Sequence, residues 1–367
     1  MGTEIENLQE LLKEDPSNFQ ARRELSVLLA NNGFNEEALA NIEYLVKYFP
    51  EDADLYYNLG ILYEKTKNLQ KAEESYKKAI SINPQTDFYY NLGEVLVSLE
   101  KWDDAIKAFE QVLKQDNNDP NCYFNLGLCY YNKDEIKIAT DNFQQAINLN
   151  PKDLYAYFYL GNIYQQSGLT NFAEENYKKV LEISPDYSWA YFNLASIAYS
   201  NGNNDEAMRY LLKTIEFNDT DIESYKLLTK LCLKEEKIEE IITLLETRLK
   251  KEENGDLYYI LARVYKFIGD SENYAKNLRG ALANHLTLSF DKDVIKHEYE
   301  LVSKDSELIE PEAQIEEYED IEPDEEEYSE EEDEDETEDN ELSEEDEDED
   351  DFDFEDDDLE DNEEEDI

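Results

Sequence analysis

The chain has 367 residues, with 93 Asp and Glu against 33 Lys and Arg, a formal net charge of −60. A surplus of that size repels phosphate and argues against nucleic acid as a partner, unless a local basic patch acts alone. From Asp305 to Ile367 there are 42 acids and no base, which leaves 51 acids against 33 bases, or −18, on residues 1–304.

The first predicted element lies in residues 1–18, where Leu8, Leu11 and Leu12 ahead of Pro16 read as a lone capping helix. Its leading residues, Met1-Gly2-Thr3-Glu4-Ile5-Glu6, lack the basic region and apolar core of a signal peptide, and Glu6 fails the myristoylation pattern. No later run approaches the ~20 apolar residues of a membrane span. Cys122, Cys129 and Cys232 are too few for a disulfide framework and read as core thiols. A cytoplasmic protein without a membrane partner is expected.

From Phe19 a pattern recurs. Leu59-Gly60, Leu92-Gly93, Leu126-Gly127 and Leu160-Gly161 are 33 or 34 residues apart, each with a tyrosine three residues before the leucine and an alanine thirteen after it. One such unit cannot bury its own apolar face and must pass it to the next, so the period predicts a stack of units. Eight units fit, starting near residues 19, 53, 86, 120, 154, 188, 222 and 255 and running to about 288. Within the second, Tyr56, Leu59 and Tyr63 form one helical face, and Ala72, Tyr76 and Ala79 form another after the break at Thr66-Lys67-Asn68. Pro50, Pro84, Pro151 and Pro185 mark ends of second helices. Small residues at the Leu-Gly position and at the second-helix alanine are predicted points of close helix approach. The signature decays in the seventh unit, which has Leu228-Thr229 and Ile241, and in the eighth, which has Tyr274 where alanine belongs. In residues 289–304, Val294, Ile295, Leu301 and Val302 predict a closing helix. Residues 305–367 are too charged to bury a core and are expected to be disordered.

The set Tyr157, Leu160, Gly161, Tyr164, Ala173, Tyr177 and Pro185, with Val180 where alanine is usual, resembles the tetratricopeptide repeat. That resemblance implies an all-α, right-handed superhelical solenoid of about eight helix-turn-helix repeats whose concave surface is lined by first helices and binds protein. It places the fifth position of each unit on that surface, here Tyr57, Tyr90, Phe124, Phe158 and Phe192. The sixth position holds Asn58, Asn91, Asn125 and Asn193. A row of carboxamides can pair with the backbone of an extended peptide, while aromatics supply contact area. Alternatively, the asparagines only satisfy neighbouring helices.

The seventh and eighth units replace this row by bases. Lys226, Lys230 and Lys234 are spaced by four and share a helix face, and Arg263 and Lys266 extend it. One reading makes this patch a site for the chain's own acidic tail; the other makes it an ordinary solvated face. The tail itself reads as a solubilising segment, a self-inhibitory one, or a binder of basic proteins. No Gly-rich phosphate loop occurs, and His285 and His297 lie twelve apart with no cysteine or third histidine nearby. No metal, cofactor or catalytic residue is therefore expected. The function expected is a non-enzymatic scaffold for a protein or peptide partner, the alternatives being an acidic chaperone working through the tail or a regulatory subunit of an enzyme supplied in trans.

Overall fold

The computed structural model describes residues 2–304, so Met1 and the acidic tail with its expected disorder lie outside the described residues. The described residues form helices joined by short turns, with no strand. α1 (Gly2–Glu14) is followed by eight helix pairs: α2 (Phe19–Asn31) and α3 (Asn35–Tyr48), α4 (Ala53–Lys65) and α5 (Leu69–Ile82), α6 (Thr86–Ser98) and α7 (Trp102–Gln115), α8 (Pro120–Asn132) and α9 (Ile136–Leu149), α10 (Leu154–Gln166) and α11 (Thr170–Ile183), α12 (Ser188–Ser200) and α13 (Asn204–Phe217), α14 (Ile222–Lys234) and α15 (Ile238–Lys251), α16 (Gly255–Phe267) and α17 (Ser271–Ala283). A 3-10 turn at His285–Thr287 leads to α18 (Lys292–Lys304). The fold is the all-α, right-handed solenoid of eight helix-turn-helix units that the resemblance implies.

Local chemistry sets the boundaries. Asp52, Asp119, Asp153 and Asn254 cap first helices by accepting backbone amides of the first turn. Each turn inside a unit passes through one residue of positive φ at the same register: Gly33, Lys67, Glu100, Asp134, Gly168, Gly202, Glu236 and Gly269. Half of these are not glycine, so four units bear the left-handed conformation at a cost of ~1 kcal/mol each.

The Leu-Gly glycines are notches for an aromatic ring. A Cβ on Gly60 would fall 2.3 Å from the Tyr76 ring, and on Gly93, Gly127 and Gly161 it would fall 2.6, 2.6 and 2.5 Å from Phe109, Phe143 and Tyr177. In each case the ring lies sixteen residues on, in the second helix of the same unit, and is fully buried. Where the notch residue is larger, the residue sixteen on is aliphatic: Ser26 with Ile42, Ala195 with Leu211, Thr229 with Leu245, Ala262 with Leu278. Close packing demands such compensation, since volume is conserved across the contact.

The seventh unit shows what happens when the notch is filled. With Thr229 and Ile241 at its two contact points, α14 and α15 form the loosest of the eight pairs, and α14 lies as much against α16 as against its own partner. Thr229 is 1% exposed and its hydroxyl has no hydrogen-bond partner. Thr229→Val keeps the shape and removes that unsatisfied group, so the variant is expected to gain about 1 kcal/mol. Slower amide exchange in α14 and α15 would register the gain; faster exchange would refute it.

Both ends are closed by lone helices, with differences from the sequence reading. On α1 the residues packed against the first unit are Ile5, Leu8 and Leu12, while Leu11 is 46% exposed. On α18 Ile295 and Val302 are buried, Tyr299 packs beside them, and Val294 and Leu301 are exposed. The reason is helical period: one stripe at i, i+3/i+4 and i+7 meets the neighbour, and adjacent apolar residues fall outside it.

Candidate functional site

First helices of successive units touch directly, α6 with α8 and α14 with α16, whereas no two second helices are in comparable contact among the described residues. The first helices therefore occupy the shorter, inner side of the curve. Their fifth-position rings are half-buried and packed on the second-helix aromatics: Tyr57 on Tyr76, Tyr90 on Phe109, Phe124 on Phe143 and Phe158 on Tyr177, with centroids 5.7 to 5.9 Å apart. Each also reaches the next unit, as Tyr57 stacks on Phe88 at 4.6 Å and Phe158 meets Tyr187 at 5.4 Å. Phe192 differs. It is only 8% exposed and belongs to the continuous core that runs from α12 to α18.

The asparagine row is partly spent on holding units together. Asn91 Nδ2 donates to Tyr57 Oη at 3.0 Å, and Asn125 Nδ2 donates to Tyr90 Oη at 3.3 Å. The rule behind this is legible: a tyrosine at the fifth position of one unit takes the asparagine at the sixth position of the next. After Phe124, which has no hydroxyl, the sixth position is Tyr159, and its ring meets Phe124 edge-on at 5.9 Å. After Phe158, Asn193 donates instead to Asn162 Oδ1 at 3.4 Å. Asn58 stands half-buried at the head of the row. Each of these carboxamides has a carbonyl oxygen as well as the donor it spends, and Asn91 also acts on the Tyr76 phenol.

Two acids border the row. Glu64 accepts a hydrogen bond from Tyr76, and burial raises its carboxyl against the lowering effect of that bond. Glu94 is open to water, yet it lies inside the curve. The protein around it raises its carboxyl, Tyr90 pulls the other way, and Glu64 and Asp119 raise it further. Neither acid is ion-paired among the described residues.

The bases of the seventh and eighth units are largely engaged by the chain itself. Lys226 pairs with Glu223 at 2.6 Å and lies over the Phe290 ring at 4.7 Å. Lys230 sits over Tyr199 at 5.8 Å. Arg263 and Lys266 share Glu298 of α18, at 3.2 and 3.3 Å, and all three side chains are under one-fifth exposed. Lys234 is exposed. The five are thus brought to one end of the inner face, and α18 is a partner of Arg263 and Lys266 that the repeat pattern does not reveal, because Glu298 lies 35 and 32 residues from them.

Family profiles match in four places: the tetratricopeptide repeat at residues 53–85, 120–153 and 170–231, and the TPR repeat at 93–134. The chain is a tetratricopeptide-repeat protein. The repeats make it a protein-interaction scaffold. This tetratricopeptide-repeat protein is 30% identical over 112 residues to ER membrane protein complex subunit 2-A of Xenopus laevis, a match covering 29% of the chain and 38% of that relative. It thus spans well under half the length of that relative. Among solved structures it resembles MamA, with 28% identity, 44% of this chain and 95% of that one covered, and a TM-score of 0.42. It also resembles YrrB, described as a TPR protein with an unusual peptide-binding site, with 24% identity, coverage of 50% and 95%, and a TM-score of 0.45. No helix among the described residues is long and apolar enough to cross a membrane, and no group of three or more metal-ligating side chains is found among them.

Proposed function

We propose that the scaffold binds an extended peptide or partner segment along the inner face of the second to sixth units, against Tyr57, Asn58, Tyr90, Asn91, Phe124, Asn125, Phe158 and Asn193. The observation that carries this reading is the row of half-buried rings Tyr57, Tyr90, Phe124 and Phe158 on four successive first helices, with the carboxamides of Asn58, Asn91 and Asn125 beside the first three. Rings fixed by packing lose little entropy when a partner covers them, and leftover amide groups suit a peptide backbone. The protein works as a non-enzymatic adaptor. We place it in the cytoplasm, in line with three unpaired thiols, two of which burial pushes up to about 12. The tail is the second candidate for partner binding. To dock on the basic end of the inner face it would have to displace Glu298 from Arg263 and Lys266.

Pull-downs with the intact chain, a chain ending at residue 304 and the isolated tail separate these readings. The expected result is recovery of the same partner by the first two, with amide exchange slowed in α4, α6, α8 and α10. Recovery by the tail alone would assign the function to the tail instead.

A further inference from the structure

The first helices of the fourth, fifth and sixth units, α8, α10 and α12, are 13 residues each and contain no Asp, Glu, Lys or Arg, in a chain that is 34% charged. Packing does not require this, since Asn121, Asn132, Tyr155, Gln166 and Ser200 on these helices are exposed. The second helices of the same units carry charge, as in Lys137 and Asp141 of α9 or Glu174 and Lys178 of α11. The absence is therefore confined to the inner side of three consecutive units. The exposed and half-buried groups there are phenols, rings and carboxamides, tied by Gln166 Nε2 donating to Tyr131 Oη at 3.2 Å and by the edge-on contact of Tyr131 with Tyr159 at 5.5 Å.

On either side the charge has opposite sign. The first helices of the second and third units carry Asp54, Glu64, Asp87 and Glu94 against Lys65 alone, and that of the seventh carries Lys226, Lys230 and Lys234 against Glu223 alone. We propose that the inner face selects an extended peptide whose centre is uncharged and whose one end carries a lysine or arginine, seated with that basic end toward Glu64 and Glu94. The proposal rests on the peptide-binding reading above and gives it a substrate class.

The physical case is one of desolvation. A carboxylate or ammonium laid along α8, α10 and α12 gives up water and finds no counter-charge, which costs several kcal/mol per ion. A neutral side chain meets rings and amides that can satisfy it. At the other border, Glu64 on α4 and Glu94 on α6 have no ion-pair partner among the described residues, so an incoming cation relieves their mutual repulsion, and the Tyr57 and Tyr90 rings on the same helices add cation–π attraction. Neighbouring helix axes are about 10 Å apart, so three of them span about 20 Å. At ~3.3 Å per extended residue that is a neutral stretch of about six residues. The chain's own tail does not meet the specification, because 42 of its 63 residues are acidic and none is basic.

A random ten-residue peptide library selected on the full-length protein tests this. The selected pool is expected to show charged residues depleted at least tenfold over its central six positions, and lysine or arginine enriched at one end. Two substitutions locate the binding. Leu128→Lys places a charge on the neutral stretch and should weaken the selected peptides at least tenfold, with circular dichroism confirming the fold. Glu64→Gln with Glu94→Gln should weaken only peptides with a basic end. A pool with charged centres that still loses affinity to Leu128→Lys overturns this inference and leaves the peptide-binding reading standing. A pool indifferent to Leu128→Lys, or no selection at all, overturns both.

Discussion

Replacing Gly127 by alanine is expected to destabilise the fourth unit by about 1–2 kcal/mol, although alanine is the better helix former by ~1 kcal/mol. The new Cβ would lie 2.6 Å from the Phe143 ring, which is fully buried and cannot swing aside. Overpacking of this kind costs about 1–3 kcal/mol, and the contact lies at the closest approach of α8 and α9. Phe143→Leu alone opens a cavity and costs about 1 kcal/mol. The two changes together recreate the pairing that this chain already uses at Ala195 with Leu211 and at Ala262 with Leu278. The double variant should therefore be more stable than the sum of the single effects predicts, by at least 1 kcal/mol. Amide exchange in α8 and α9 is the suitable measurement, because a repeat array opens locally and need not melt as one unit. Strict additivity would show that the notch and the ring do not make a complementary contact.

Removing the Glu298 carboxylate is expected to cost about 2–3 kcal/mol, somewhat less than the ~3–5 kcal/mol of breaking a fully buried ion pair, because the groups retain some exposure. Glu298 is 16% exposed and binds Arg263 and Lys266 across the joint between α16 and α18. In Glu298→Ala both bases lose this shared acceptor, and α18 is left holding on through Ile295, Tyr299 and Val302. The loss should appear as earlier proteolysis and faster exchange in α18 and the segment around Phe290, with α10 unchanged, since solenoid units feel only their neighbours. Equal protection of α18 in the variant and the parent protein would mean that apolar burial alone closes the array.

The helices, their pairing and their number follow from the sequence through local rules: a 3.6-residue apolar period, aspartate or asparagine caps, and prolines two residues beyond second helices. These interactions reach a few residues, so one chain read alone suffices. The notch pairs and the charge-free first helices are equally legible, as offsets of sixteen residues and as a composition, although only the structure says why they matter. Three things waited for the tertiary structure. Phe192 looks like its equivalents Tyr57 and Tyr90 but is buried, because its exposure depends on how closely the next unit approaches. Asn91 and Asn125, which suggest a free ladder, spend a donor on the tyrosine one unit back, and Asn193 spends one on Asn162. The cations Arg263 and Lys266 suggest an open basic patch until α18 brings Glu298 against them. In each case the deciding partner sits about one repeat away. The period of the chain determines that a neighbour exists, and only packing decides which of its atoms arrive.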